Sequence, residues 1–313
     1  MILDYPSTQK SREIANKYGY DEFIVRRWLN FFGDETLKII ELFEKGLPKY
    51  IRINIIKISE DYLIDRLEKR GFKLKKTEVP YCYEVIKEKY SIGATPEYLM
   101  GYYYIMDKSS CIPPLVLDPK PKEIVVDFCA SPGGKTTFMA MLMKNCGVIL
   151  AIEPQKERLQ ALIDNINRMG AMNVAVLNMD ARDFPKLKIK ADKILLDAPC
   201  TGEGIIFKDK TRKTDRGLKD ILFCSKLQKE LIFAAFDSLK PRGILVYSTC
   251  SLTPEENEFV VENLLSKRNA ELLDIEYGEK ALELTKIDLS KAKRFYPHIH
   301  RCAGFFVAKI VKL

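Results

Sequence analysis

"EIVVDFCASPGGKTTFMAMLMK", residues 123–144, reads as a strand, a turn and a helix in immediate succession. EIVVDF (123–128) is a short run rich in branched apolar residues, the composition of a strand covered on both faces. Gly133 and Gly134 let backbone N–H groups approach a ligand, and the start of the helix KTTFMAMLMK favours negative charge there. Spacing excludes two familiar phosphate loops. A Walker A loop needs a glycine five residues before Gly134, where Cys129 stands, and the Rossmann pattern G-x-G-x-x-G finds no third glycine.

The alternation continues downstream. GVILAIE (147–153), VAVLNM (174–179), ADKILLDA (191–198) and GILVYST (243–249) read as strands. KERLQALIDNINRMG (156–170), LQKELIFAAFDSLK (227–240) and EENEFVVENLLSK (255–267) read as helices. Such a series predicts parallel strands with helices on both faces. ELLDI (271–275) and GFFVAKIVKL (304–313) lack a clear helix between them and predict an antiparallel edge pair. The fold class is therefore α/β, a doubly wound Rossmann-like sheet of about seven strands. Upstream, DETLKIIELFEKG (34–46), YIRINIIKI (50–58) and SEDYLIDRLEKRG (59–71) read as helix, strand and helix. Ser59 and the acids after it start the last of these, and Gly71 ends it. The prolines of PPLVLDPKP (113–121) mark a boundary between a smaller N-terminal α+β domain, 1–112, and the larger domain, 113–313.

Acids stand where the strands end: Glu153 after the second, Asp180 after the third, Asp197 after the fourth. In an open α/β sheet those ends line one crevice. Glu153 lies about 20 residues past the glycine turn, where an acid accepts hydrogen bonds from ribose hydroxyls. Asp180 can accept from an adenine amino group. Singly, each could merely cap a strand end in solvent; three in register with one glycine turn point to an adenosine ligand without a pyrophosphate. S-adenosylmethionine fits.

Composition bounds the rest. The 313 residues are 47% hydrophobic and 30% charged, an ordinary globular balance. No apolar run is long enough to span a bilayer, and MILDYPSTQKSRE lacks the pattern of a signal peptide, so a cytoplasmic protein with no membrane contact is expected. Of the eight cysteines none form C-x-x-C, and there are only two histidines, so no metal site is expected. Most of these thiols read as reduced core filler. The net charge of +8 falls short of a nucleic-acid footprint by itself, but it is concentrated. FKDKTRKTDRGLK (207–219) carries six Lys/Arg against two Asp, and KAKRFYPHIHR (291–301) mixes cations with aromatics. Either run is a solvated surface or a groove that tracks phosphates and stacks bases. KLKK (73–76) adds basic charge, whereas GYYY (101–104) reads first as packing.

Two cysteines fall at strand ends rather than inside strands: Cys200 in LLDAPCTGEG and Cys250 in YSTCSLTPEENE. Strands four and five of a doubly wound sheet are neighbours, so both thiols face one site beside the adenosine ligand. The chemistry that needs such a pair is methylation of a pyrimidine ring carbon. A thiolate adding to carbon 6 of cytosine breaks the aromaticity and makes carbon 5 nucleophilic toward a sulfonium methyl. A second group then takes the carbon-5 proton, and the thiol leaves. Asp197 can hold the exocyclic amine and the protonated ring nitrogen. Lys135 can lower a thiol pKa or screen the carboxylate. Spacing alone leaves open which cysteine attacks.

With these motifs in place the chain resembles the NOL1/NOP2/Sun (RsmB-like) family of RNA 5-methylcytosine methyltransferases. DFCASPGGKT, AIEPQKERL, NMDARDF, DAPCTGEG, STCSLTPEENE and GFFVAKI carry the resemblance, with RINI and MDKSS upstream. Ser131, Thr201 and Glu153 stand where the family more often has Ala, Ser and Asp. The resemblance implies Cys250 as nucleophile, with Cys200 assisting proton removal and release. It implies cofactor contacts from Cys129, Ala130, Ser131, Pro132, Gly133, Gly134 and Lys135, and from Glu153, Arg158, Asp180 and Asp197. In DNA cytosine-5 methyltransferases the nucleophile comes from a Pro-Cys motif, which would nominate Cys200 instead. The compact layout resembles archaeal tRNA-methylating members. A monomer acting on tRNA is expected, with the target base flipped out, the 1–112 domain binding RNA and the 207–219 run holding phosphates. Three other readings compete: ribosomal RNA rather than tRNA as substrate, a non-catalytic RNA-binding or ribosome-assembly factor on the same scaffold, and a small-molecule methyltransferase.

Overall fold

The computed structural model describes residues 3–313. They form two units interleaved along the chain: one takes the residues up to Leu47 with Ala198–Ile232 and Ser248–Ala308, the other Pro48–Asp197, Phe233–Tyr247 and Lys309–Leu313. This is not the division at 112/113. The proline run there starts inside a helix, which holds Pro113 and Pro114, and the 48–112 segment belongs with the strands that follow it.

The first unit begins with three amphipathic helices. Thr8 caps α1 (Gln9–Tyr18) in a reciprocal box with Ser11, and Asp21 caps α2 (Glu22–Phe32); α3 (Glu35–Lys45) follows. Their apolar faces, including Ile24, Trp28, Ile39 and Phe43, cluster with Ile206, Leu252 and Tyr296. Each such side chain removed from water contributes about 1.5–3 kcal/mol.

The second unit opens with β1 (Tyr50–Ile53), α4 (Glu60–Lys69), β2 (Lys73–Lys76), β3 (Cys82–Lys87), α5 (Pro96–Leu99) and β4 (Tyr103–Ile105). The four strands form an antiparallel sheet in the order β2-β3-β1-β4, with Ile51, Ile53, Leu63, Leu67 and Tyr103 in its core. β1 stops at Ile53, short of the expected 50–58, because Asn54 turns the chain. Its carbonyl accepts from Lys57 and Ile58, and its Nδ2 donates to the carbonyls of Gly101 and Met169.

After α6 (Lys108–Leu117) the predicted alternation appears: β5 (Ile124–Asp127), α7 (Gly134–Leu142), β6 (Val148–Ile152), α8 (Lys156–Met169), β7 (Val174–Leu177), β8 (Ala191–Asp197), α9 (Leu218–Asp237) and β9 (Leu239–Thr249). α10 (Glu258–Leu265), β10 (Ala270–Leu273), β11 (Glu279–Lys280), β12 (Lys293–Phe295), α11 (Pro297–His300) and β13 (Phe305–Lys312) complete the chain. The large sheet runs β11-β12-β13-β9-β8-β5-β6-β7, with β10 pairing β13. All seven expected strands form, and the short β11 and β12 extend the sheet to nine. β5 is parallel to both β6 and β8, so the winding reverses at β5. That reversal is the topological switch point, and the glycine turn sits at its carboxyl end.

Candidate active site

At the end of β5 the buried Asp127 accepts a 2.7 Å hydrogen bond from Thr136 Oγ1, which fixes the first turn of α7 to the strand. Burial pushes the Asp127 carboxyl up to about 6, and the Asp197 charge adds to the effect. Gly133 has φ +98° and Gly134 opens α7. A Cβ on Gly134 would stand 3.1 Å from the Tyr104 ring, so the turn lies flat beneath that tyrosine. Lys135 Nζ meets Asp197 Oδ2 at 2.6 Å. Of the two tasks open to Lys135, pairing the carboxylate is the one its geometry performs. Burial and the carboxylates of Asp127, Asp197 and Glu153 push the Cys129 thiol well up, so it is an inert wall.

Glu153, at the end of β6, is buried; it accepts from Gln155 N at 3.0 Å and faces Arg158 at 3.4 Å. Arg158 also donates to the Ser131 carbonyl, and Ser131 Oγ donates back to the Arg158 carbonyl, 2.9 and 3.1 Å. These bonds tie the glycine turn to the start of α8. Asp180 caps the turn that follows β7 and pairs with Arg182 at 2.7 Å, whose guanidinium hydrogen bonds hold its carboxyl below the usual range. Asp127, Lys135, Glu153, Arg158, Asp180 and Asp197 thus belong to one unit and to the carboxyl ends of its parallel strands.

The two cysteines belong to the other unit. Cys200 Sγ and Cys250 Sγ are 3.0 Å apart, and neither forms a disulfide; both are partly exposed. At this separation either thiol can donate to the other, so a thiolate at one sulfur is stabilised by the S–H of its neighbour. Behind them lies a feature the sequence reading passed over. The fully buried Glu256 accepts from Thr201 N at 2.9 Å, Thr201 Oγ1 at 2.5 Å, Ser251 Oγ at 2.8 Å, Thr253 Oγ1 at 3.0 Å and Gln228 Nε2 at 2.9 Å. One carboxylate therefore fastens the Cys200 loop, the Cys250 loop and α9 together. Gln228 Nε2 also donates to the Pro199 carbonyl, and Gly204 N to the Cys250 carbonyl.

The rest of the PEENE run continues the frame. Glu255 pairs with the buried Arg27 of α2 at 2.6 Å, Asn257 accepts from Thr249 and donates to the Ser251 carbonyl, and Glu258 forms a buried two-pronged pair with Arg294 of β12. Burial pushes Glu203 up to about 7 while Trp28 Nε1 donates to it at 2.9 Å. The run carries one local signal: Glu255, Glu256 and Asn257 stand just before the largely apolar α10, which Glu258 opens.

Several cations of the basic run also have partners within the protein. Lys213 pairs with Glu44 at 2.7 Å and donates to the Tyr18 carbonyl, Lys210 faces Glu44 at 3.6 Å, and Arg212 bonds Asp209 and the Thr201 carbonyl. Three of its cations thus fasten α3 and the Cys200 loop; Lys208 and Lys219 are exposed. Among the described residues no group of three His, Cys, Asp or Glu is arranged to hold a metal, and no helix is long and apolar enough to cross a membrane.

Residues 114–311 match the family model of the 16S rRNA methyltransferases RsmB/F. The chain belongs to the RsmB/F methyltransferase family. It is 41% identical over 307 residues to the tRNA (cytosine(72)-C(5))-methyltransferase of Pyrococcus horikoshii, covering 96% of this chain and 75% of that protein. It is 40% identical over 319 residues to the 28S rRNA (cytosine(4447)-C(5))-methyltransferase of Homo sapiens, covering 96% of this chain but 39% of that protein. Across four eukaryotic relatives the chain spans between 39% and 53% of their length. Among solved structures, a methyltransferase homolog protein from Pyrococcus horikoshii superposes with a TM-score of 0.90 at 42% identity, covering 98% of this chain and 100% of that one. NSun6 from the same organism, solved with SFG, gives 0.83 at 30% identity, covering 91% and 96%. The cofactor of an RsmB/F methyltransferase is S-adenosylmethionine. The second unit suits it: a helix N-terminus with no side chain on its two leading glycines, a buried acid at the ribose distance, and carboxylates that match a sulfonium cation.

Proposed function

We propose that this chain transfers a methyl group to carbon 5 of cytosine in RNA, through a covalent adduct with Cys250. The observation that carries the reading is the 3.0 Å separation of the Cys200 and Cys250 sulfurs on two loops fastened by one buried carboxylate. A ring small enough to be attacked by one sulfur is within reach of the other.

S-adenosylmethionine, when bound, supplies the electrophilic methyl. Cys250 Sγ adds to carbon 6, and the electron pair released to carbon 5 takes that methyl. Cys200 accepts or relays the proton that carbon 5 then loses; the Cys250–carbon 6 bond breaks, aromaticity returns and the thiolate is regenerated. Asp197 is three residues before Cys200, a stretch of chain that reaches at most about 11 Å. It receives the exocyclic amine and ring nitrogen, and its Oδ2 pairs with Lys135 Nζ. Glu153 holds the ribose, Asp180 the adenine amine, and the turn from Cys129 to Lys135 the amino-acid end.

tRNA is the proposed substrate, supported by the similarity to the archaeal tRNA enzyme over 75% of its length. Ribosomal RNA is a second reading, supported by 40% and 39% identity to the human and mouse 28S rRNA enzymes. Labelled cofactor incubated with size-separated total RNA, followed by nucleoside analysis and bisulfite mapping, decides between them. 5-Methylcytidine in the tRNA fraction is expected; label in ribosomal RNA alone favours the second reading, and a different product overturns both.

A further inference from the structure

Arg52, on β1, is a fully buried guanidinium with no carboxylate beside it among the described residues. Its Nη2 donates to Thr137 Oγ1 at 3.1 Å, Nη1 faces the Met141 sulfur at 4.0 Å, and Nε has no acceptor. The Phe138 ring centroid lies 4.7 Å away. Burying a charge without a counter-charge is strongly unfavourable, and arginine does not escape by losing its proton. A negative group that arrives with a ligand would relieve it.

Two links run from Arg52 to the glycine turn. Thr137 Oγ1, which accepts from Arg52, donates to the Gly133 carbonyl at 2.7 Å and stands 3.2 Å from that of Gly134. The Tyr104 ring, which lies over Gly134, has the guanidinium carbons of Arg52 and Arg168 at 5.8 and 5.5 Å from its centroid. The nearby charges explain why another cation is needed. Lys135 pairs with Asp197, Arg158 with Glu153 and Arg182 with Asp180, while Asp127 has no ion-pair partner among the described residues. Such a set suits a sulfonium and a ribose but leaves the carboxylate of the same cofactor only cations that already face an acid, apart from Arg52 and the partly exposed Arg168, which bonds the Tyr98 and Tyr103 carbonyls and Asn165 Oδ1.

We propose that Arg52 is a positioning residue for the cofactor's carboxylate: its buried charge, held behind Thr137 and Tyr104, makes the start of α7 attractive to that anion without touching it. The proposal rests on the cofactor reading above. At an effective dielectric of about 20, a unit charge about 10 Å from the carboxylate changes its affinity roughly tenfold, and the α-ammonium a few Å away offsets much of this, leaving about threefold.

The test is calorimetric binding of two ligands to the full chain: S-adenosylhomocysteine, which has the carboxylate, and 5′-methylthioadenosine, which lacks it. Arg52→Met should weaken the first about threefold and leave the second, which lacks the whole amino-acid end, unchanged, whereas Arg52→Lys, which keeps the charge, should retain most of the affinity for the first. Because both ligands are titrated into one preparation, loss of folded protein changes the stoichiometry and not the ratio. Equal weakening of both ligands, unchanged S-adenosylhomocysteine affinity in Arg52→Met, or a Lys variant as weak as the Met one overturns the proposal. Wild-type protein that binds neither ligand overturns the cofactor reading with it, a result distinct from the other three.

Discussion

Glu256 does for the two cysteine loops what backbone pairing does for strands. Five donors converge on it from Thr201, Ser251, Thr253 and Gln228. Glu256→Ala strands them in a buried place, and a loss of about 3–5 kcal/mol is expected in urea unfolding, with Glu256→Gln milder. Glu203 makes a separate prediction. Burial raises its carboxyl from 4.5 to about 7, so the folded chain holds this proton more tightly than the unfolded chain. Its contribution to stability is full below about pH 4.5 and is lost as pH rises through about 7. Wild-type stability measured relative to Glu203→Gln should therefore fall between pH 5 and pH 8; a flat difference contradicts the assignment.

At the scale of elements, the cysteine loops depend on close backbone approach. A Cβ on Gly204 would run into the carbonyls of Gly304 and Cys250, the second at 2.7 Å. Gly204→Ala should therefore abolish methyl transfer by moving Cys250, while S-adenosylhomocysteine affinity, which depends on the other unit, stays within about twofold. Here the sequence was most readable. Parallel strands buried on both faces leave continuous branched runs, and the acids and the cysteines stand just past the ends of those runs. The support of the site was not readable. Glu255 meets Arg27 across 228 residues, Trp28 meets Glu203 across 175, and no local pattern encodes such pairs. For the same reason α1 and α2 carry good caps yet little sign of their purpose, since their apolar faces answer to Ile206, Leu252 and Tyr296. Charge patterning likewise does not show the acids that Lys210, Arg212 and Lys213 meet.

For the molecule as a whole, interleaving replaces the expected division into a front and a back domain. Helices α1–α3 complete the core of a unit whose remaining parts follow residue 197. A fragment of residues 113–313 should accordingly lack a cooperative thermal transition, having lost the partners of Leu252, Glu203 and Glu255. A fragment that melts cooperatively near the wild-type temperature contradicts the interleaved description. The family was legible ahead of this architecture because its motifs are short stretches of chain, whereas the units are assembled from distant segments.

The most direct measurement is a denaturing gel of labelled RNA incubated with S-adenosylmethionine and each cysteine variant. Cys200→Ala should accumulate a covalent protein–RNA species that fails to resolve, and Cys250→Ala should form none. A stable adduct in Cys250→Ala, or its absence from Cys200→Ala protein that still binds RNA and cofactor, contradicts the account.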